Sequence, residues 1–266
     1  MSVDLCYFRG GQGARLMPGR PLSRAAIMWE WQRRDPAYIA FATGRPAPRA
    51  TFCDGVIHLA IPVDDDAAPW GCVFAEAPEN SAETARLFWT HARDPAVIRA
   101  TAIRARSRGA DSFDIAQLRE HVVHTTDSDG HEQLLVGSTA SCLRLDIVDG
   151  SLLDGPVNLT CHISDFDAAA PGLRAIRRLH QLQKTLCLPQ RPSINPQLWC
   201  REIERLQAFD ALQSGATQRE IGALIFGRAA VDYGWNSHTD RVRSAVKRLL
   251  RDARTLAAGG YRTMLL

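Results

Sequence analysis

Several features of specialised protein classes are missing from this sequence. It has no uninterrupted apolar run that approaches the roughly 18 residues of a membrane-spanning helix, and its first residues lack the apolar core of a secretion signal. The seven cysteines are scattered and form no C-x-x-C pair, which argues against a disulfide framework and against a cysteine zinc site. We therefore expect a cytoplasmic protein with reduced thiols that does not bind membranes.

Motifs of the common enzyme classes are also missing. The sequence contains no G-x-S-x-G, no H-E-x-x-H and no phosphate-binding loop ending in G-K-S or G-K-T. His121 and His124 are three positions apart on a predicted strand, so they point to opposite faces and cannot share a metal. Three adjacent acids, Asp64, Asp65 and Asp66, leave a magnesium-dependent nuclease as an alternative. The prediction is a protein that is not an enzyme and that needs no cofactor and no metal.

Charge is distributed unevenly along the 266 residues, of which 45% are hydrophobic and 23% charged. Residues 1–49 hold 8 Lys and Arg against 3 Asp and Glu, residues 50–170 hold 8 against 19, and residues 171–266 hold 16 against 7. The three net charges are therefore +5, −11 and +9. A basic C-terminal third beside an acidic middle is typical of a nucleic-acid-binding module joined to a body that repels phosphate. The alternative is that the basic ends dock on the acidic middle of the same or a neighbouring subunit.

The N-terminal part is predicted to be a flexible tail followed by helices. Residues 1–20 are rich in glycine and read as a tail without fixed structure. Ser23 is placed to cap a first helix, and Asp35 caps a second that begins at Pro36. These helices open a body over residues 21–190 that we expect to serve oligomerisation or regulation.

The middle of the body is predicted to be an antiparallel β-meander. Two turn signals, Asp129-Gly130 and Asp149-Gly150, each separate apolar strands and predict hairpins. Together they indicate four or five strands between residues 98 and 163, followed by a helix over about residues 171–187. The fold class is therefore α+β, with N-terminal helices and a central antiparallel meander ahead of the C-terminal domain.

Residues 196–266 are predicted to form an all-helical domain of the helix-turn-helix type. A linker with three prolines precedes it, and an apolar stripe from Trp199 to Leu212 predicts its first helix. Thr217 and Glu220 have the spacing of a capping box, which predicts the start of a second helix. The last helix is predicted over about residues 238–257. About ten residues separate these two helices, whereas the compact motif has a turn of three or four.

The last predicted helix has an apolar and a basic side. Its apolar residues fall within about 80° at 100° per residue, and Lys and Arg cover the remaining surface. Arginine side chains can bind phosphates and the edges of guanine bases. The free amides at a helix start, together with small polar side chains, can also bind phosphates. The candidate DNA contacts are Ser237, Thr239, Arg241, Arg243, Ser244, Lys247, Arg248 and Arg251, with Thr217, Gln218 and Arg219 as phosphate anchors. The alternative is a solvated face on a helix that packs against the body domain.

The C-terminal segments LQAFDALQSGATQREIGALIFG (206–227) and RVRSAVKRLLRDARTLAAGGYRTML (241–265), with Trp235 between them, resemble the domain-of-unknown-function family 2285. This family is the C-terminal module of proteobacterial regulators such as the RovC-like and FseA-like activators. Upstream segments also match its pattern: WEWQRRDPAYIAF (29–41), WGCVFAE (70–76), LFWTHARDPAVIRATA (87–102) and SCLRLDIVDGSLLDGPVNLT (141–160). The resemblance implies a non-catalytic activator that binds promoter DNA through its C-terminal helices and assembles as an oligomer.

We therefore predict a sequence-specific transcriptional activator that acts as a homo-oligomer in a bacterial cytoplasm. Its predicted partner is double-stranded promoter DNA, and RNA polymerase is a candidate further partner. The resemblance places the controlled genes on a mobile element or in a secretion cluster. The alternative is a structural or adaptor oligomer that does not bind DNA, in which the basic C-terminal third docks on an acidic neighbouring subunit.

Overall fold

The structure is a computed structural model that describes residues 23–62, 67–107, 109, 112–127, 129–138, 141–163, 169–189, 196–235 and 240–264. The predicted flexible tail, residues 1–20, and the acids Asp64 to Asp66 lie outside the described residues. The described chain divides into two compact units. One, the sheet unit, holds residues 41–189, and the other, the helical unit, holds residues 23–40 and 196–264.

The described residues form helices at both ends and strands in the middle. The helices are α1 (Arg24–Gln32), α2 (Pro36–Ala42), α3 (Ala169–Thr185), α4 (Pro196–Gln213), α5 (Gln218–Phe226), α6 (Arg228–Gly234) and α7 (Arg241–Ala257). The strands are β1 (Arg49–Cys53), β2 (Val56–Ala60), β3 (Ile98–Arg104), β4 (Val122–Thr126), β5 (Glu132–Ser138), β6 (Ser141–Asp149) and β7 (Val157–His162). None of these helices is both long and apolar enough to cross a membrane.

The sheet unit contains one mixed sheet with the strand order β1-β2-β4-β5-β6-β3-β7. The α+β class is confirmed, and β4, β5 and β6 form the antiparallel meander, with the turn at Asp129-Gly130 between β4 and β5. The expectation of an antiparallel body is incomplete, because β2 pairs with β4 in parallel and β3 pairs with β6 in parallel. The extra pairings join strands that are far apart in the sequence, where turn signals give no information.

The hairpin predicted at Asp149-Gly150 is wrong. Strand β3 lies between β6 and β7, parallel to the first and antiparallel to the second. Ile98, Ala100 and Ala102 of β3 alternate into the buried core, so one face of this strand packs beneath α3. The turn after β6 therefore carries the chain past β3 before β7 begins.

Different parts of the chain cover the two faces of the sheet. On one face, Leu179 and Leu182 of α3 share a core with Leu145 of β6. On the other face, Phe74 and Phe88, which precede β3, join a core that includes the strand residues Val123, Leu135 and Cys142. Helix α3 confirms the predicted helix over about residues 171–187, and its burial against the sheet leaves its opposite side exposed.

The helical unit combines α1 with the C-terminal helices, whereas the sequence predicts a single body over residues 21–190. Ser23 caps α1 as predicted, accepting a hydrogen bond from the Ala26 amide at 3.2 Å. All of residues 25–32 are buried, so α1 needs neighbours on every side. The Trp31 ring lies 6.0 Å from the ring of Phe209 in α4, which shows one of these neighbours.

A buried network of charges fixes α1 against α4. Arg34 forms a bidentate ion pair with Asp210, with Nε–Oδ1 and Nη2–Oδ2 distances of 2.7 and 2.6 Å. Glu30 accepts from Arg34 Nη1 at 2.6 Å and from Arg33 Nε at 2.8 Å. Burial lowers the pKa of Arg34, but the hydrogen bonds and charges of Asp210 and Glu30 outweigh it and raise the pKa above its ordinary value. The guanidinium therefore stays charged in the folded unit.

Candidate nucleic-acid interface

Helix α5 begins at the predicted capping box, which is confirmed. The Thr217 side chain accepts from the Glu220 amide at 3.3 Å, and the Thr217 amide donates to Glu220 Oε2 at 2.7 Å. The hydrogen bonds from the Thr217 backbone and side chain lower the pKa of Glu220. Because the box uses two of the free amides at the helix start, it determines where α5 begins.

Gly222 allows α5 to approach α6 and α7 closely. A methyl group in its place would lie 3.0 Å from the Trp235 ring and 3.2 Å from side-chain atoms of Val231 and Val246. Val246 of α7 is fully buried and shares a core with Ile221 and Leu250. The position of α7 on the helical unit therefore depends on a small residue at this point of α5.

We expect Gly222→Leu to lower the free energy of unfolding by about 1–3 kcal/mol, because the larger side chain has no space between the three helices. Gly222→Ala is expected to change stability far less, since the gain in helix propensity of about 1 kcal/mol offsets the tight contact. Urea unfolding of both variants measures the difference. Equal stability of the two variants would contradict the close packing at this position.

Helix α6 was not predicted from the sequence. The sequence marks the residues after Gly227 only as a separation of about ten residues between two predicted helices, yet residues Arg228–Gly234 are helical. Gly227 has φ 86°, a value that glycine adopts without strain and that lets α6 start directly after α5. The run Ala229-Ala230-Val231 was the available signal, but a helix of seven residues is too short to show a clear periodicity.

The basic side of α7 is exposed to solvent. Val246, Leu250, Ala253 and Ala257 are buried against the rest of the helical unit. The exposed side chains of the helix are Arg241, Arg243, Ser244, Lys247, Arg248, Arg251, Arg254 and Thr255. The helix starts three residues later than predicted, and Ser237 and Thr239 lie outside the described residues.

Most of the basic groups of α7 have no acidic partner among the described residues. Arg251 lies 3.3 Å from Asp252, which also lies 3.7 Å from Arg205 of α4. No ion pair within the described parts of the chain engages the other exposed basic residues of the helix, which are Arg241, Arg243, Lys247, Arg248 and Arg254. These charges are available to a ligand that carries many negative groups.

The three anchors predicted on α5 are exposed, but two of them already have partners. The Thr217 side chain is engaged by Glu220, and Arg219 Nη2 lies 3.1 Å from Asp232 of α6 in an exposed ion pair. Such exposed pairs contribute little stability and exchange readily for a stronger partner. Gln218 is the first helical residue and is also exposed.

The sheet unit contains a contact between two histidines that was not predicted from the sequence. The Nδ1 atoms of His58 and His124 are 3.3 Å apart, because β2 and β4 are parallel neighbours with these two residues in register. His124 Nε2 also lies 3.4 Å from Glu132. Burial, with a contribution from the charge of His124, lowers the pKa of His58. Within the described residues, no group of three or more His, Cys, Asp or Glu side chains could hold a metal ion.

Comparison with known families identifies the region that contains the basic helix. Residues 166–266 match the family model RovC_DNA-bd, described as a T6SS transcription factor DNA-binding domain. This agrees with the resemblance to RovC-like regulators seen in the sequence, and it covers α3 to α7. No curated protein matches the chain significantly. Residues 166–266 are therefore similar to the DNA-binding domain of a transcription factor family.

Proposed function

We propose that this chain, which carries a RovC-like transcription factor DNA-binding domain at residues 166–266, activates transcription by binding promoter DNA through α7. In this proposal the protein acts as a homo-oligomer in the bacterial cytoplasm, is not an enzyme, and brings RNA polymerase to genes of a secretion cluster or mobile element. The observation that carries the proposal is the exposed basic side of α7 within the matched region.

The dimensions and surface of α7 support this proposal. An α-helix with its side chains is about 10–12 Å wide, and the major groove of B-DNA is about 12 Å wide. At 100° per residue, Arg241, Ser244, Arg248 and Arg251 fall within about 80° of each other, directly opposite the buried side. We assign base contacts to this outward row.

A second row on α7 is better placed for the DNA backbone. Arg243, Lys247 and Arg254 lie between the outward row and the buried side, and all three are exposed. When a helix lies in a groove, side chains on its flank face the groove wall, which is lined by phosphates. We assign phosphate contacts to this flanking row, together with Gln218 and Arg219 of α5 and the Thr217 end of that helix.

The test separates the two rows. We first select fragments of genomic DNA that the purified protein retains, and then compare a selected duplex with a random one. The double variant that carries both Arg243→Ala and Lys247→Ala should bind both duplexes more weakly. It should also reduce the slope of log K against log salt concentration by about 1.8, because each phosphate contact contributes about 0.9. Arg248→Ala should cost about 1–3 kcal/mol on the selected duplex and less on the random one.

The control variant is Arg49→Ala with Arg104→Ala, which removes two exposed arginines from strands of the sheet unit. It should leave the affinity and the salt slope at their wild-type values. An unchanged slope for the Arg243 and Lys247 variant would refute the role of the flanking row. Transcription from a reporter carrying a selected fragment should rise with the wild-type protein, as expected of an activator.

The net charge of −11 in residues 50–170 favours one competing function, an adaptor oligomer in which the basic C-terminal third docks on a neighbouring subunit. This alternative predicts self-association that weakens with salt and no retention of any DNA fragment. Sedimentation at low and high salt, with and without duplex DNA, distinguishes the two functions.

A further inference from the structure

A second basic surface lies on α3, in the sheet unit. This helix contains Arg174, Arg177, Arg178 and Lys184 and has no Asp or Glu. Its buried residues Ala175, Leu179 and Leu182 fix it on one face of the sheet. The apolar side of α3 is buried against the sheet, and the exposed basic side chains Arg174, Arg177 and Lys184 lie outside that core.

The exposed basic groups of α3 form a row along the helix. Arg177, His180 and Lys184 are all exposed, and at 100° per residue they fall within about 60° of each other. At 1.5 Å per residue, Arg177 and Lys184 are about 10 Å apart along the helix axis. The row thus presents cationic groups at a spacing that a line of phosphates can meet.

Contacts within the described chain separate this row from the structural arginine of the same helix. Arg178 donates from Nη1 to the carbonyl oxygen of Cys142 in β6 at 2.8 Å and so anchors α3 to the sheet. Arg177 and Lys184 have no ion pair with any described residue. Their charges are therefore exposed without a partner in this part of the chain.

The family match supplies an independent observation. The DNA-binding model covers residues 166–266, whereas the helical unit that holds α7 contributes only residues 196–264 to that range. The remaining described residues of the match, 169–189, consist of α3 and the few residues after it. A DNA-binding region thus includes a helix that belongs to the sheet unit.

We infer that the row Arg177, His180 and Lys184 of α3 is a second DNA contact, which binds backbone phosphates without regard to sequence. This inference rests on the proposed function. Leu173 is also exposed one turn before Arg177, but the three positions that follow it in the row carry charge or hydrogen-bond donors, which suit phosphate oxygens. It adds affinity on every duplex, and α7 supplies the discrimination.

The test uses the double variant that carries both Arg177→Gln and Lys184→Gln in the full chain. Its affinity is measured for a selected duplex and for a random duplex of equal length. The salt slope should fall by about 1.8 on both duplexes, and the ratio of the two affinities should stay at the wild-type value, because phosphate contacts carry no sequence information. The charge-preserving pair Arg177→Lys with Lys184→Arg should keep most of the slope.

The matched control is Arg49→Gln with Arg104→Gln, which removes the same charge from exposed strand positions of the same unit and should leave the slope unchanged. An unchanged slope for the α3 variant, alongside a reduced slope for Arg243→Ala with Lys247→Ala, would overturn the inference and leave the proposed function standing. Unchanged DNA binding with a loss of oligomer mass in the α3 variant would also overturn it, in favour of an acidic protein surface. No DNA binding by the wild type would refute both.

Discussion

Glu30→Gln is expected to lower the free energy of unfolding by about 3–5 kcal/mol. Glu30 is fully buried and accepts hydrogen bonds from both Arg33 and Arg34, which are themselves 1% and 2% exposed. The glutamine has the same shape but no charge, so it removes the carboxylate that both buried guanidinium groups share, while Asp210 stays paired with Arg34. Removing one member of a buried ion pair costs far more than removing an exposed charge.

Urea unfolding followed by tryptophan fluorescence measures this loss, because Trp29 and Trp31 are buried on the same helix. The control is Glu79→Gln, an exposed carboxylate of the sheet unit, which should change stability by less than about 0.5 kcal/mol. A loss below 1 kcal/mol for Glu30→Gln would show that the network is not essential for holding α1 in the helical unit.

Gly150→Ala is expected to destabilise the sheet unit by roughly 4 kcal/mol or more, which places it among the most damaging single substitutions. A methyl group at Gly150 would lie 1.8 Å from the carbonyl oxygen of Ala102, an impossible distance to a backbone atom of the neighbouring β3. The φ angle of 82° adds strain for any residue with a side chain. The variant can fold only if β3 moves away from the end of β6.

The comparison variant is Gly155→Ala, whose φ of 93° is similar but whose methyl group would meet no atom within 4 Å. It carries the conformational strain alone and should cost about 1–2 kcal/mol. Thermal unfolding of the two variants therefore separates the clash from the strain. Similar melting temperatures would mean that β3 does not lie against Gly150.

Features set by neighbouring residues were predictable from the sequence. The capping box at Thr217, the cap at Ser23 and the turn at Asp129-Gly130 each depend on hydrogen bonds or torsion angles within a few residues. The extent of α3 follows from its apolar periodicity in the same way. In each case the residues that determine the structure lie inside the element itself.

Features set by distant contacts were not predictable. Asp149-Gly150 correctly signals a turn with positive φ, but only the position of β3 decides that this turn does not close a hairpin. The place of α1 in the helical unit depends on Arg34 meeting Asp210, 176 residues further along the chain. A single sequence contains no record of which distant groups will pair.

The candidate interface was partly predictable, because the charges of α7 can be read directly from the sequence. The direction of the buried side of α7 was harder to predict from the sequence, because Leu249 and Leu250 are adjacent and both apolar. The structure buries Leu250 and leaves Leu249 half-buried, which rotates the basic side from its expected direction. The direction of the outward and flanking rows therefore depends on how the helical unit packs against α7, and the contacts of individual side chains with DNA stay predictions.

The pairing of α1 with α4 has a consequence for the order of folding during synthesis. The sheet unit is continuous in sequence and can fold as soon as it leaves the ribosome, whereas α1 emerges more than 150 residues before its partner. At about 5–20 residues per second, this delay lasts roughly 8–35 s. Throughout that interval the indole ring of Trp31 is without Phe209, its neighbour in α4, which makes the nascent chain a natural client for ribosome-associated chaperones.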